Sequence, residues 1–537
     1  MDKEIEISKL INKYFSLSYD EDLISFKNSI EEILHNYKKE SKITSNSSLG
    51  KCKKNFLDYK IPYDPKSLDS YVVFLKKYIL PDIVNVSKPT YLGHMTSAIP
   101  NFFQYLAQFI TQLNLNVVKI ETSKAVTLLE RQSIAMLHKL FFNYSDDFYE
   151  RYIQDNKTNM GAIVSGGTQA NITALWIARN NSMKSCESFQ GIQKEGVCKA
   201  LNHFGYTEAV IIGSRLMHYS IEKASSLLGI GVNNLIKIGL NDKGTIDVKE
   251  LKKKIIECKE EGKVIVSIIG IAGTTETGKI DDLYSMAQIA KKYNIHFHVD
   301  ASWGGPIVFS DKYKHMLKGI ELADTVTVCG HKQLFLPQGI SVVLCRDFKI
   351  MNSIKFVTRY QARNKSLDLG KYSPEGSRAA NSLFLHAALT LIGKSGYEYL
   401  INEGIKKAAF LADLIMKSDD FELIEEPQTN IVNYRYIPKK FRKKLKDETL
   451  CFEDNCVINS INEVLQEKEF YQGETFISRS SMRENKYGDM DIIILRAVVC
   501  NPLSTEKDIY KLLENQKQIG EYISDKEYSY FIYNSLV

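Results

Sequence analysis

Two short stretches of this chain carry residue types that could do chemistry together. Ile295-His296-Phe297-His298-Val299-Asp300-Ala301-Ser302-Trp303-Gly304-Gly305 ends an apolar run in an aspartate where a strand should stop. A carboxylate there can face the nitrogen of a bound aromatic ring and keep it protonated. Further along, Gly330-His331-Lys332-Gln333-Leu334 offers an amine able to form a Schiff base with an aldehyde. Taken singly, an aspartate after a strand reads as a turn cap and a lysine as solvated surface. Their order and spacing favour the joint reading.

A third stretch, Ser165-Gly166-Gly167-Thr168-Gln169-Ala170-Asn171, follows a strand-like run and opens a helical one. Its glycines let an anion approach the backbone, where free N–H groups and the positive end of a helix dipole would hold a phosphate, assisted by the Ser165 or Thr168 hydroxyl. It matches neither the dinucleotide fingerprint nor the P-loop, and a tight turn with no ligand is the alternative for this stretch alone. An aldehyde, a protonated ring nitrogen and a phosphate together describe pyridoxal phosphate.

These stretches need a scaffold. From about 160 to 345, the runs Gly161 to Val164, Ala209 to Ile212, Val264 to Ile269, His296 to Val299, Thr325 to Val328 and Ser341 to Leu344 alternate with helical stretches, which predicts an α/β domain with a mainly parallel sheet. Ligands bind such sheets beyond the carboxyl ends of the strands, where these motifs fall. Before this region, the spacing of Leu23, Phe26, Ile30, Ile33 and Leu34 predicts a helix, Lys38 to Lys54 an exposed linker, and Val117 to His138 a second helix. After it, Leu383 to Ile392 and Gly404 to Met416 read as helices, and Asn430 to Tyr436 and Ile492 to Val499 as strands. The expected division is an N-terminal helical segment and linker over 1–130, a large cofactor-binding α/β domain over 131–385 and a small α+β C-terminal domain over 386–537.

The chain is long enough, at 537 residues and 44% hydrophobic, to bury a large core. With 70 basic against 64 acidic residues, its net charge of +6 argues against nucleic acid as the main partner. The longest apolar run, Val264 to Gly273, falls well short of the ~20 residues that span a bilayer, so no membrane segment is expected. The N-terminus lacks the basic and apolar regions of a signal peptide. Nine scattered cysteines without metal-ligand pairing read as reduced cytosolic thiols, and no metal is expected. The expected location is cytoplasmic.

From about Pro89 to Pro502 the chain resembles the group II pyridoxal phosphate-dependent amino acid decarboxylases of fold type I. The resemblance rests on Tyr91-Leu92-Gly93-His94-Met95-Thr96-Ser97, Gly166 to Asn171, Gly330 to Leu334 and Glu375-Gly376-Ser377-Arg378, and within the family it is most like the bacterial aspartate 1-decarboxylases of the glutamate decarboxylase-like group. It implies a mainly parallel sheet with helices on both faces, and a homodimer with its site at the subunit interface, where Glu375 to Arg378 complete a neighbour's phosphate pocket. It makes Lys332 the Schiff-base lysine, Asp300 the partner of the pyridine nitrogen and His218 the ring stacked on the cofactor. Gly166, Gly167, Thr168, Thr274, Ser302 and His331 complete the cofactor set. Ser302 stands where relatives carry alanine, and Gly330 where they carry a polar residue or proline. Tyr360 matches the loop tyrosine that protonates Cα, with Tyr372 as competitor. Arg496 matches the arginine that binds the substrate α-carboxylate. Lys124, where proline is common, and His94 lie in the substrate-side segments.

The resulting expectation is decarboxylation of L-aspartate to β-alanine and CO2. Glutamate decarboxylation to 4-aminobutyrate is the alternative, since one methylene separates the substrates. A pyridoxal phosphate lyase of another reaction class would keep Lys332 and Asp300 but release no CO2, and a non-enzymatic binding protein would be indifferent to loss of Lys332.

Overall fold

A computed structural model describes residues 2–15, 20–40, 42–358, 365–484, 487 and 490–526. Seven strands, β1 (Gly161–Val164), β2 (Ala209–Ser214), β3 (Leu235–Ile238), β4 (Val264–Ile271), β5 (Phe297–Asp300), β6 (Thr325–Cys329) and β7 (Ser341–Cys345), form the central sheet in the order β1-β7-β6-β5-β4-β2-β3. Strands β3, β2, β4, β5 and β6 pair in parallel, and only β7 runs against its two neighbours. The mainly parallel sheet expected from the alternation is thus present.

Side chains alternate across each strand, and the core divides accordingly. Ile163, Val342 and Leu344 face a core shared with the helices Ala125–Phe142, Val248–Glu260 and Leu283–Tyr293. Their neighbours Ala162, Val164, Val343 and Cys345 face the helix Gly167–Ser182. Covering on both faces explains why all eight residues of β4, VIVSIIGI, are buried and apolar but for one serine.

The small C-terminal unit contains β8 (Phe421–Leu423), β9 (Ile431–Tyr436), β10 (Ser478–Glu484) and β11 (Met490–Val498), in the antiparallel order β10-β11-β9-β8. The helices Gly393–Met416, Phe452–Gln472 and Glu506–Lys526 supply its apolar backing. Leu92 joins this core and is tied in by backbone bonds to Phe476 and Val498, so an early segment is built into the late unit.

Three expectations change. The helix foreseen from Val117 to His138 is two, Ile120–Ser123 and Ala125–Phe142, because Lys124 takes φ 38° and ψ −102°. The helix foreseen at Gly404 starts at Gly393; the pattern hid its first turns behind Gly393, Lys394, Ser395 and Gly396, but Tyr397 anchors them by stacking on Phe309 at 4.6 Å. The polar stretch after Lys38 is not a free linker. Ile43 is buried against Tyr91 and Phe476, and its backbone bonds Gly473 and Asn85 at 2.7 Å each. Among the described residues no helix is long and apolar enough to cross a membrane.

Candidate active site

Asp300 ends β5 at the carboxyl edge of the sheet, almost fully buried. Its Oδ1 accepts the Ser302 backbone N–H at 3.1 Å, and its Oδ2 accepts from Asn171 Nδ2 at 2.8 Å. Burial alone would raise its pKa, but the Ser302 bond, the Lys332 charge, His298 and the Asn171 amide together hold it below the usual carboxylate value. Asp300 is therefore an anion poised to pair with a cationic ring nitrogen.

Lys332 sits in the tight turn that follows β6. Gly330 N–H donates to Ile340 O and Leu336 N–H to Gly330 O, each at 3.0 Å, and Phe335 N–H closes on Lys332 O at 3.0 Å. Phe335 holds φ 55°, a left-handed conformation costly for a bulky residue, and the Tyr397 hydroxyl braces the turn by donating to Leu334 O at 2.8 Å. Gln333 donates to Trp303 O at 2.9 Å and accepts from Asn430 at 3.0 Å, joining the lysine turn to the small unit. A Cβ on Gly330 would lie 2.7 Å from Ile340 O, so this turn leaves no room for a side chain there.

Lys332 and Asp300 face a cleft of about 290 Å³ that is also lined by Gly166, Gly167, Thr168, Asn171, His218, Ser302 and His331. Distant stretches of sequence meet here as expected. The helix Gly167–Ser182 opens on the cleft with no side-chain cap, so its first N–H groups are available to an anion. His218 Nδ1 accepts from Ser220 N–H at 3.2 Å and contacts Ser220 Oγ at 2.9 Å. Burial lowers the pKa of His218, opposed by Asp300, and burial with the Lys332 charge lowers His331 to about 4.

Other expected residues are placed differently. Thr274 is buried with its hydroxyl 2.6 Å from that of Thr277, whereas Thr275 lines the cleft. Arg496, on β11, donates from Nη1 to Thr275 O at 2.7 Å and from Nε to Ser478 Oγ at 3.1 Å, which ties its guanidinium to Thr275 of the cleft lining. The His94 ring stacks on Phe476 at 5.8 Å, its pKa lowered by burial and by the charge of Arg496. Lys124 is exposed at its helix break. Arg378 is buried on Glu130, with Nη1 to Oε2 at 2.9 Å, and reaches Glu375 at 3.4 Å. Tyr360 lies outside the described residues. Tyr372 is buried among Trp176, Met351 and Ile354, away from the cleft. The sequence reading assigned no role to Asn171, Trp303 or Cys329, all of which line the cleft. Asn171 stood inside a motif already singled out, and that motif was the only available signal.

Pyridoxal phosphate fits what is present: an uncapped helix start for phosphate, an ionised Asp300 for the ring nitrogen, an amine for the aldehyde and an imidazole for a ring face. Fold and cleft together define an enzyme class that works through a lysine-bound pyridoxal cofactor on a mainly parallel α/β scaffold. The pyridoxal-dependent decarboxylase conserved domain matches residues 51–437, and the chain belongs to that family. It is 37% identical over 520 residues to an aspartate 1-decarboxylase of Aliivibrio fischeri (strain ATCC 700601 / ES114), covering 96% of this chain and 94% of the relative. It is 33% identical over 306 residues to the L-aspartate decarboxylase dtxS4 of Metarhizium robertsii, covering 56% of this chain and 58% of that one. The crystal structure of mouse CSAD superposes with a TM-score of 0.78 at 22% identity, covering 93% of this chain and 99% of that one, and so supports the fold.

Proposed function

We propose that this decarboxylase acts on L-aspartate, breaking the bond from Cα to its carboxylate to release CO2 and leave β-alanine. The observation that carries the reading is the near-full-length similarity to the Aliivibrio fischeri aspartate 1-decarboxylase. Pyridoxal phosphate, when bound, supplies an aldehyde for the amine and a protonated ring that accepts the electron pair of the broken bond. The Lys332 amine holds the cofactor and yields it to the substrate amine. Asp300 keeps the proton on the ring nitrogen, His218 packs a neutral imidazole against the ring, and Arg496 grips a substrate carboxylate through the N–H groups not spent on Thr275 and Ser478. Tyr360 delivers a proton to Cα.

The working assembly in this reading is a homodimer, with Glu375 to Arg378 contributing to the neighbour's phosphate pocket. Nine free cysteines support a reducing, cytoplasmic setting. The deciding experiment supplies purified, cofactor-loaded enzyme with L-aspartate and L-glutamate separately and quantifies β-alanine, 4-aminobutyrate and CO2 against Lys332→Ala. Mainly β-alanine is expected. Mainly 4-aminobutyrate would transfer the enzyme to glutamate, and CO2 from neither substrate would overturn the acidic amino acid reading.

A further inference from the structure

Asn171 is nearly inaccessible in the second turn of the helix Gly167–Ser182, yet its amide meets three polar side chains from two other elements, β5 and the helix Tyr219–Leu227. Nδ2 donates to Asp300 Oδ2 at 2.8 Å and to Ser220 Oγ at 2.9 Å, while Oδ1 lies 3.2 Å from His298 Nε2. The orientation of the amide is forced, because the ionised Asp300 only accepts and would repel the carbonyl oxygen.

Every proton in the cluster follows from that choice. With both Asn171 N–H bonds committed and Ser220 Oγ already an acceptor, the Ser220 hydroxyl proton is free to reach His218 Nδ1. That nitrogen also accepts Ser220 N–H, so the His218 proton sits on Nε2. On the other branch, Asn171 Oδ1 requires a proton on His298 Nε2. His298 Nδ1 then accepts from the Thr325 hydroxyl at 3.0 Å, and Thr325 in turn accepts from His296 Nε2 at 2.9 Å.

We infer that Asn171 is a positioning residue that orders this one-way network, fixing Asp300 as the ring-nitrogen partner and His218 as the Nε2–H tautomer at the same time. It acts through Asp300 and His218, and the inference rests on the cofactor reading of the cleft. An apolar residue at 171 would leave the Asp300 oxygen and the His298 N–H buried without partners. The cost would fall on the electronics of the ring more than on substrate capture.

The first test needs no variant. In holoenzyme labelled with ¹⁵N at histidine, His218 and His298 are expected as neutral Nε2–H tautomers; an Nδ1–H tautomer on either would overturn the inference whatever the variants do. Asn171→Ala, loaded with pyridoxal phosphate carrying ¹⁵N in the ring, should shift the ring nitrogen toward its unprotonated position, weaken cofactor affinity about tenfold and lower kcat more than it raises KM. Ser220→Ala should lower kcat and leave the ring-nitrogen signal in place, because it cuts only the His218 branch. An unchanged ring signal in a folded, loaded Asn171→Ala would overturn the role. Failure of the unaltered protein to bind pyridoxal phosphate would instead overturn the cofactor reading beneath it.

Discussion

The proposed mechanism gives Lys332, Asp300 and Arg496 separable duties, and substitutions should separate them. Lys332→Ala is expected to abolish the long-wavelength absorbance of the loaded enzyme together with turnover; full activity would refute its assignment. Asp300→Asn keeps the shape but removes the charge that holds the ring nitrogen protonated, so kcat should fall about a hundredfold or more, in the range seen when a preorganised electrostatic partner is lost. Arg496 spends Nε and one Nη1 proton on Ser478 and Thr275, leaving Nη2 to meet a carboxylate. A lysine there cannot reproduce that fork, and kcat/KM for aspartate should drop about tenfold to a hundredfold with cofactor affinity unchanged. Initial rates over a range of aspartate concentrations would check this.

At the scale of elements, the turn after β6 determines whether Lys332 is presented at all. Its backbone bonds to Ile340 and Leu336 leave no room at Gly330, where a Cβ would lie 2.7 Å from Ile340 O and 2.8 Å from Leu336 Cδ1. Gly330→Ala should therefore cost about 1 to 3 kcal/mol, the range for overpacking a tight site, read as a lower unfolding midpoint in denaturant. The turn should also present Lys332 less well, with a smaller fraction of cofactor covalently bound at saturation. An unchanged midpoint would mean that the Ile340 and Leu336 contacts yield to the methyl group. The opposing element is the helix Gly167–Ser182, which brings an open amino end to the cleft and carries Asn171 one turn further along.

Across the whole molecule, buried polar groups accompany the apolar cores, and within the small unit one of them makes folding sensitive to pH. Glu469 is completely buried beneath the C-terminal helix, its Oε1 accepting from Thr475 at 2.7 Å and from Gln516 at 3.3 Å. Burial raises its pKa from the ordinary carboxyl value of 4.5 to about 7. The folded protein therefore keeps a proton that the unfolded chain releases above about pH 4.5, and unfolding becomes easier as pH rises toward 7. The shift corresponds to about 3 kcal/mol, fully present below the lower value and lost above the upper one. Glu469→Gln should flatten the fall in unfolding free energy between pH 5 and 7, which denaturant titrations at several pH values would measure. A slope equal to that of the parent protein would place the pH sensitivity elsewhere.

The sequence by itself determined the chemistry that depends on local residue type and the scaffold that depends on periodicity. Asp300 at a strand end, Lys332 after the next strand and the Gly166-Gly167-Thr168 turn all follow from short stretches, and six strands of the large sheet were visible as buried β-branched runs. Strand β3 was missed because it is a short edge with an exposed lysine at its third position, and β8 because three residues carry no usable period. Tertiary structure decided which groups in those stretches meet. Asn171 touches Asp300 from 129 positions away and Arg496 reaches Thr275 across 221. Thr275, not Thr274, lines the cleft because a tight turn commits the Thr274 hydroxyl to Thr277. Lys124 interrupts a helical pattern that the sequence left continuous. Local pattern encodes a backbone period and a residue's chemical capacity; hydrogen-bond partnership between distant residues exists only once the sheet order and the packing of its helices have set their separation.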